Sequence, residues 1–285
     1  MIVAYTLVAL VAFAANSILC RVALRDATVD PATFSTIRLI AGAGTLALVT
    51  AWNQRAALAD AGSWTSAALL TIYAVPFSFA YVSLSAGTGA LILFGSVQVT
   101  MLIAALGSGE RPHVGQWAGL TMALAGLVIL VFPGLTAPPL TAAVLMATAG
   151  VSWGAYSWRG RSSTNPLAHT TGNFVRAVPF VVAVSLVSLS RTHVEARGIV
   201  LAAASGALAS GLGYVAWYAA LRGLTGMQAA VVQLSVPMLA AMGGVAFLAE
   251  GVSVRLVLST IVVLGGIALA IASRRRRDLV VTARA

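Results

Sequence analysis

Residues 229–250 read AAVVQLSVPMLAAMGGVAFLAE. No charge appears until the closing Glu250, and a bilayer is crossed by about 20 apolar residues in helical form. Yet Gln233 and Pro237 sit inside the run. A proline within a helix leaves the carbonyl four residues back without its usual amide donor. An unpaired polar group in hydrocarbon costs several kcal/mol, so it must face protein or a water-filled cavity. Gln233 and Pro237 are four apart and share a helical face. Two readings stay open. A local opening presents a carbonyl and an amide to a polar ligand at mid-membrane, or a kink has its carbonyl satisfied by a neighbouring helix.

The rest of the chain has the same character. Of 285 residues, 60% are hydrophobic and only 8% charged, with mean hydropathy +0.96. A soluble domain carries about a quarter charged residues, so the composition points to an integral membrane protein. All 17 basic residues are Arg, and the formal charge is +10. That charge does not indicate nucleic acid, because the arginines lie between apolar runs and in one cluster, SRRRRD at 273–278. Such a cluster flanks a last span on the cytoplasmic side, against anionic lipid. Cys20 is the only cysteine, which rules out an intrachain disulfide and a Cys-rich metal site. The AFA at 12–14 looks like a signal-peptidase site. No positive segment precedes it and the run continues to Arg21, so a retained first span is expected.

Breaks at charges, prolines and glycines divide the chain into ten predicted helices: 2–20, 32–52, 64–83, 86–106, 114–133, 139–158, 169–189, 198–220, 224–247 and 253–273. A doubled five shows as a common shift. Arg21 and Arg161, Asn16 and Tyr156, Glu110 and Glu250, and Gly126 and Gly266 are each 140 residues apart; Arg38 and Arg176 are 138 apart. Five helices per half is an odd number, so the halves enter from opposite sides. The expected fold is therefore an all-α integral membrane protein of two inverted five-helix repeats, 1–137 and 138–273, with a basic tail at 274–285.

AANSILCRVAL, PATFSTIRLIAG, SAGTGA, GSGERPHVGQWAGLTMALAGLVIL and AGVSWGAYSWRGR resemble the EamA-type members of the drug/metabolite transporter superfamily, and the resemblance spans nearly the whole chain. It implies a secondary transporter with cytoplasmic termini, closest to the amino-acid and metabolite exporters. Phe13 stands where many members have Trp, and Val97 lies opposite Pro237, so the fourth helix lacks the central proline.

Charge alone gives the same orientation. With cytoplasmic termini, Arg55, Arg111, Arg159, Arg161 and Arg222 lie in inner loops, and Arg21, Arg25, Arg191, Arg197 and Arg255 in outer ones. That is five against five. The tail arginines 274–277 and 284 break the tie toward the inside.

Polar and aromatic residues recur at helical spacing. The third helix has Tyr73, Phe77 and Tyr81; the eighth has Ser210, Tyr214 and Tyr218, with Trp217 beside them. The fourth has Phe94 and Gln98; the sixth has Ser152 and Tyr156 flanking Trp153; Asn16 lies deep in the first. Each stripe is read either as packing or as the wall of a cavity between the halves. A buried polar tip needs a partner, which favours the wall for Asn16, Gln98, Tyr156 and Tyr214. The expected substrate-contacting set is Asn16, Tyr73, Phe94, Gln98, Ser152, Trp153, Tyr156, Tyr214, Trp217, Gln233 and Pro237. Tyr81, Trp158 and Tyr218 are assigned to an interfacial aromatic belt. Arg38 and Arg176 are the only charges well inside predicted spans, with Arg38 about 10 Å into its helix. They are read as carboxylate contacts near opposite mouths, or as arginines that snorkel or cap helix ends.

The seven acids (Asp26, Asp30, Asp60, Glu110, Glu195, Glu250, Asp278) all fall in loops or at helix ends. None is placed to carry a proton or hold a cationic drug at mid-membrane. There is no Walker A pattern, no ligand spacing among His113, His169 and His193, and no nucleophile–base constellation. A lipid-modifying membrane enzyme would need a cluster of His, Asp or Glu at one interface. The expected function is transport of small metabolites across a bacterial inner membrane, namely export of amino acids (aromatic and other), with an anionic-metabolite or drug carrier as the alternative. No enzymatic activity, metal or cofactor is expected; the partners are a small-molecule substrate and the lipid bilayer, not nucleic acid. GQWAG at 115–119 and GVSWG at 150–154 are small-xxx-small patterns, read as packing within a monomer.

Overall fold

The computed structural model describes residues 1–53, 61–108, 114–132, 137–160, 163–223, 232–233 and 235–282. Their helices are α1 (Ile2–Arg25), α2 (Pro31–Asn53), α3 (Trp64–Tyr81), α4 (Ala86–Gly107), α5 (Val114–Val131), α6 (Leu140–Gly160) and α7 (Pro166–Val187). A 3₁₀ turn follows at Leu189–Arg191. Then α8 runs through three consecutive stretches, Ala196–Ala204, a π-helical Ser205–Leu212, and Gly213–Leu221, before α9 (Val236–Leu248) and α10 (Val254–Thr282). No strand occurs among the described residues, only an isolated antiparallel bridge between Val29 and Val194.

The helix starts are written into the sequence. Asp30 Oδ1 accepts from the amides of Ala32 (3.1 Å) and Thr33 (2.9 Å) at the head of α2, where Pro31 has no amide proton to be satisfied. Ser63 caps α3 through the amide of Ser66 at 3.1 Å, and Asn165 caps α7 through that of Ala168 at 3.2 Å. Each such cap stabilises by about 1 kcal/mol.

Packing follows a five-helix offset. Helix α1 packs on α8 as α6 packs on α3, and α1 on α9 as α6 on α4. Helix α2 meets α8 as α7 meets α3, while α2–α7, α4–α9 and α5–α10 are the pairs that relate to themselves. Small residues set the closest approaches. A Cβ on Gly150 would lie 2.6 Å from the Leu93 carbonyl, and one on Gly154 2.8 Å from Thr100 Cβ, so the GVSWG pattern packs α6 against α4 of the same chain. On the other side, a Cβ on Gly266 would lie 2.6 Å from the Gly119 carbonyl, at the α5–α10 crossing.

Large apolar side chains face outward: Leu48, Trp52, Val187, Phe247 and Val254 are exposed, while Ser35, Ser78, Thr171 and Arg38 are buried. In water such an outer surface would aggregate; in a bilayer it is the solvated face. Among the described residues, four helices are long and apolar enough to cross a membrane: Ile2–Arg25, Pro31–Trp52, Pro166–Val187 and Ala196–Ala220.

Several sequence-based expectations are corrected. Helix α1 continues to Arg25, five residues further than expected, and ends where Ala27 takes a positive φ of 50°. Pro237 does not kink the middle of a helix. It lies in the first turn of α9, where a missing amide costs nothing, and the Ser235 amide and hydroxyl ahead of it both donate to the Val232 carbonyl. Residues 224–231 of the expected ninth helix lie outside the described residues, as do Asp60, Glu110, His113 and Arg161. Helix α10 does not stop at 273 but runs through the arginine cluster to Thr282. Tyr81 is not in an interfacial belt. It is fully buried, edge-on to Phe77 at 4.7 Å, and its ring fills the space a side chain at Gly89 would need. Tyr218 is half-buried and shares a 2.9 Å hydrogen bond with Thr170.

Candidate functional site

A small cavity lies where α1, α3 and α4 meet α6 and α8. Its wall comprises Phe13, Asn16 and Ser17 from α1, Tyr73 and Phe77 from α3, Leu93 and Phe94 from α4, Trp153 from α6, and Ala209, Ser210 and Tyr214 from α8. Both halves of the chain contribute. The rings form a continuous cluster: Trp153 packs on Tyr73 at 4.9 Å and on Tyr214 at 5.2 Å, and Phe13 lies edge-on to Tyr214 at 6.0 Å.

A polar network threads this aromatic wall. Ser205 Oγ donates to Asn16 Oδ1 at 2.7 Å, and Asn16 Nδ2 donates to Tyr73 Oη at 3.2 Å. From behind the wall Arg38 Nη2 donates to the same Tyr73 Oη at 2.8 Å, and Arg38 Nε to Ser210 Oγ at 3.4 Å. The guanidinium lies over the rings of Tyr73 (5.1 Å) and Phe77 (4.8 Å), each such cation–π contact being worth about 0.5–2 kcal/mol. Arg38 is only 2% exposed, and its Nη1 has no hydrogen-bond partner among the described residues. Local structure makes this possible. A side chain at Gly206 would strike the Arg38 carbonyl, so glycine lets α8 lie directly on α2. The π-helical stretch from Ser205 to Leu212 then carries both Ser205 and Ser210 into the network, and π-helical turns within α-helices are common at functional positions.

The other expected residues stand differently. Tyr156 stacks on Trp153 at 5.3 Å and accepts from Asn173 Nδ2 at 3.2 Å, behind the wall. Ser152 donates to the Leu69 carbonyl at 2.7 Å and so clips α6 to α3. Trp217 packs with Ala9, Ala216 and Phe13. Gln98 and Gln233 are half-buried and Pro237 is buried; none of the three is in the wall. Arg176 is not at the cavity. Its Nη1 donates to the carbonyls of Ala61 and of Gly172, at the connection leading into α3. Sequence reading passed over Ser17, Leu93 and Ala209, which carry no signal beyond their helical register. Phe13, Phe77 and Ser210 had been noticed but not assigned to the wall.

One end of the helix bundle is tied by charge. Arg21 Nε pairs with Glu250 Oε1 at 3.0 Å, and Arg21 Nη1 donates to the carbonyls of Tyr81 (2.9 Å) and Val82 (2.8 Å). Glu250 Oε2 accepts from the Ala86 amide at 2.8 Å, and Arg25 Nη1 donates to the Leu248 carbonyl at 2.6 Å. The ends of α1, α3, α4 and α9 thus converge on one ion pair. Glu250, which the sequence places at a helix end, faces protein, with its side chain only 11% exposed. Its repeat counterparts, Glu110 and Arg161, lie outside the described residues.

The fold defines a multi-pass helical membrane protein with a cavity walled by residues from both parts of the chain. A profile of the EamA-like transporter family matches residues 1–132 and again 140–272. The chain belongs to that family, whose members are membrane transporters of small molecules. An uncharacterized protein of Pseudomonas aeruginosa is 48% identical over 272 residues, covering 95% of each chain. A solved protein crystal structure superposes with a TM-score of 0.68 at 18% identity, covering 96% of this chain and 100% of the other; that likeness speaks for the fold alone.

Proposed function

We propose that this chain is a ten-span secondary transporter of inverted repeats that moves amino acids, aromatic ones among them, out of a bacterium across the inner membrane. It works as a monomer with both termini in the cytoplasm. The observation that carries the reading is the cavity itself: six aromatic rings, an amide and two serine hydroxyls drawn from both halves around one space. Such a wall suits an aromatic body bearing a small polar head. Two halves meeting at one site also suit alternating access by rocking of one half on the other. The arginine cluster beyond the last span supports the orientation.

Purified protein in proteoliposomes should equilibrate labelled L-phenylalanine and L-tyrosine saturably, with each competing against the other. Saturable movement of uridine or ethidium with no amino-acid flux would overturn the amino-acid reading. For orientation, a C-terminal alkaline phosphatase fusion should be inactive; a fully active fusion would reverse it.

A further inference from the structure

We infer that Tyr73 and Arg38 together form a carboxylate anchor at the cavity, and that the substrate is recognised by its carboxylate rather than by an ammonium group. The inference deepens the transport reading and rests on it. Tyr73 Oη already accepts two hydrogen bonds, from Asn16 Nδ2 and from Arg38 Nη2. A phenol oxygen has two lone pairs and one proton. With both lone pairs taken, the phenol has only its proton to offer a ligand. The direction of Asn16 follows from its other end, where Ser205 Oγ donates to Oδ1. Arg38 adds a positive charge directly behind the phenol. The unit therefore consists of one donor facing the cavity and one permanent positive charge behind it, with no acceptor of its own.

A guanidinium held away from water without a carboxylate is destabilising, and two ring faces and two hydroxyls do not supply the opposite charge it lacks. Arg38 has no salt bridge among the described residues, whereas Arg21, Arg25 and Arg197 each have one. An incoming carboxylate supplies what the arrangement lacks: an oxygen for the Tyr73 proton and, next to the guanidinium behind that phenol, the missing negative charge. Among the described residues, the cavity wall holds no Asp or Glu to receive an ammonium group. An aromatic acid without an amine should thus bind at least as well as the amino acid, while the corresponding neutral amide should bind poorly.

The test is calorimetric titration of the full chain in detergent with two matched pairs: L-phenylalanine against L-phenylalaninamide, and 3-phenylpropanoate against 3-phenylpropanamide. Each acid should bind about tenfold to a hundredfold more tightly than its amide, the range of a charge-assisted hydrogen bond. In Tyr73→Phe, which keeps the ring, and in Arg38→Gln, that ratio should shrink toward one. The comparison on the unaltered protein stands even where a variant does not fold. Equal binding of acid and amide overturns the anchor and leaves the transport reading intact. Binding of 3-phenylpropanoate but not of L-phenylalanine supports the anchor and removes amino acids as substrates. Failure of both acids to bind overturns the anchor.

Discussion

Arg38 and Arg176 stand 138 residues apart in matching helices of the two halves, and both lie in a helix of membrane-spanning length. Their surroundings differ in kind. Arg176 meets backbone carbonyls, Ala61 and Gly172, at the connection into α3. Arg38 meets only side chains, a phenol, a serine and two aromatic faces, and keeps one donor unpaired. The first arginine of the pair sits behind a cavity wall, and the second holds a loop to a helix. A repeat preserves the position of a residue along its helix, not the residues packed against it.

The largest contrast is expected in stability. Arg176→Met removes the donor to two carbonyls and should destabilise the protein by about 1–3 kcal/mol. Arg38→Met removes an uncompensated buried charge and keeps an apolar chain of similar reach, so stability should hold or rise. Thermal unfolding midpoints in detergent read both. Equal losses in the two variants would mean that Arg38 is as structural as Arg176.

A second matched pair of interactions gives a smaller effect. Asn16 donates to Tyr73, and Asn173 donates to Tyr156 and also accepts from the Ser63 amide. Asn16→Ala frees the Tyr73 phenol and should weaken substrate binding about fivefold, the equivalent of one ordinary hydrogen bond. Asn173→Ala should lower the unfolding midpoint and leave substrate affinity unchanged. Titration and unfolding on each variant separate the two, and a loss of affinity in Asn173→Ala would extend the binding site to Tyr156.

The smallest expected effect is none at all. A guanidinium stays protonated at working pH, so neither Arg38 nor Arg176 can ferry a proton. The described acids with side-chain contacts, Asp26, Asp30, Glu195 and Glu250, lie at helix ends. Initial amino-acid flux in proteoliposomes should therefore be the same with and without a pH gradient. Strict dependence on the gradient would require a proton carrier that neither arginine supplies.

Much of this was legible from the sequence because it rests on local chemistry. Apolar runs and the breaks between them located the helices, and the common shift near 140 pointed to the doubling that the two-part family match also shows. Asn16, Tyr73, Phe94, Trp153 and Tyr214 were picked out by type and depth, and they line one cavity. Tyr81 was misplaced because its distance along the helix suggested an interface, whereas the chain folds α4 back over it through Gly89. Pro237 was placed mid-helix because the apolar residues on both sides of it read as one span, whereas the helix begins at Val236.

Composition and periodicity, which need no partner, fix an all-helical membrane chain in two halves. The roles of two arginines in equivalent positions are not fixed that way. They depend on the glycine at 206 that admits Arg38 to α8, on the π-helical stretch that brings Ser205 and Ser210 into its network, and on the Ala61 carbonyl that waits for Arg176. Burial and hydrogen bonding are properties of neighbours brought together from distant parts of the chain. They decide whether a charge in a membrane helix holds the fold together or waits for a ligand.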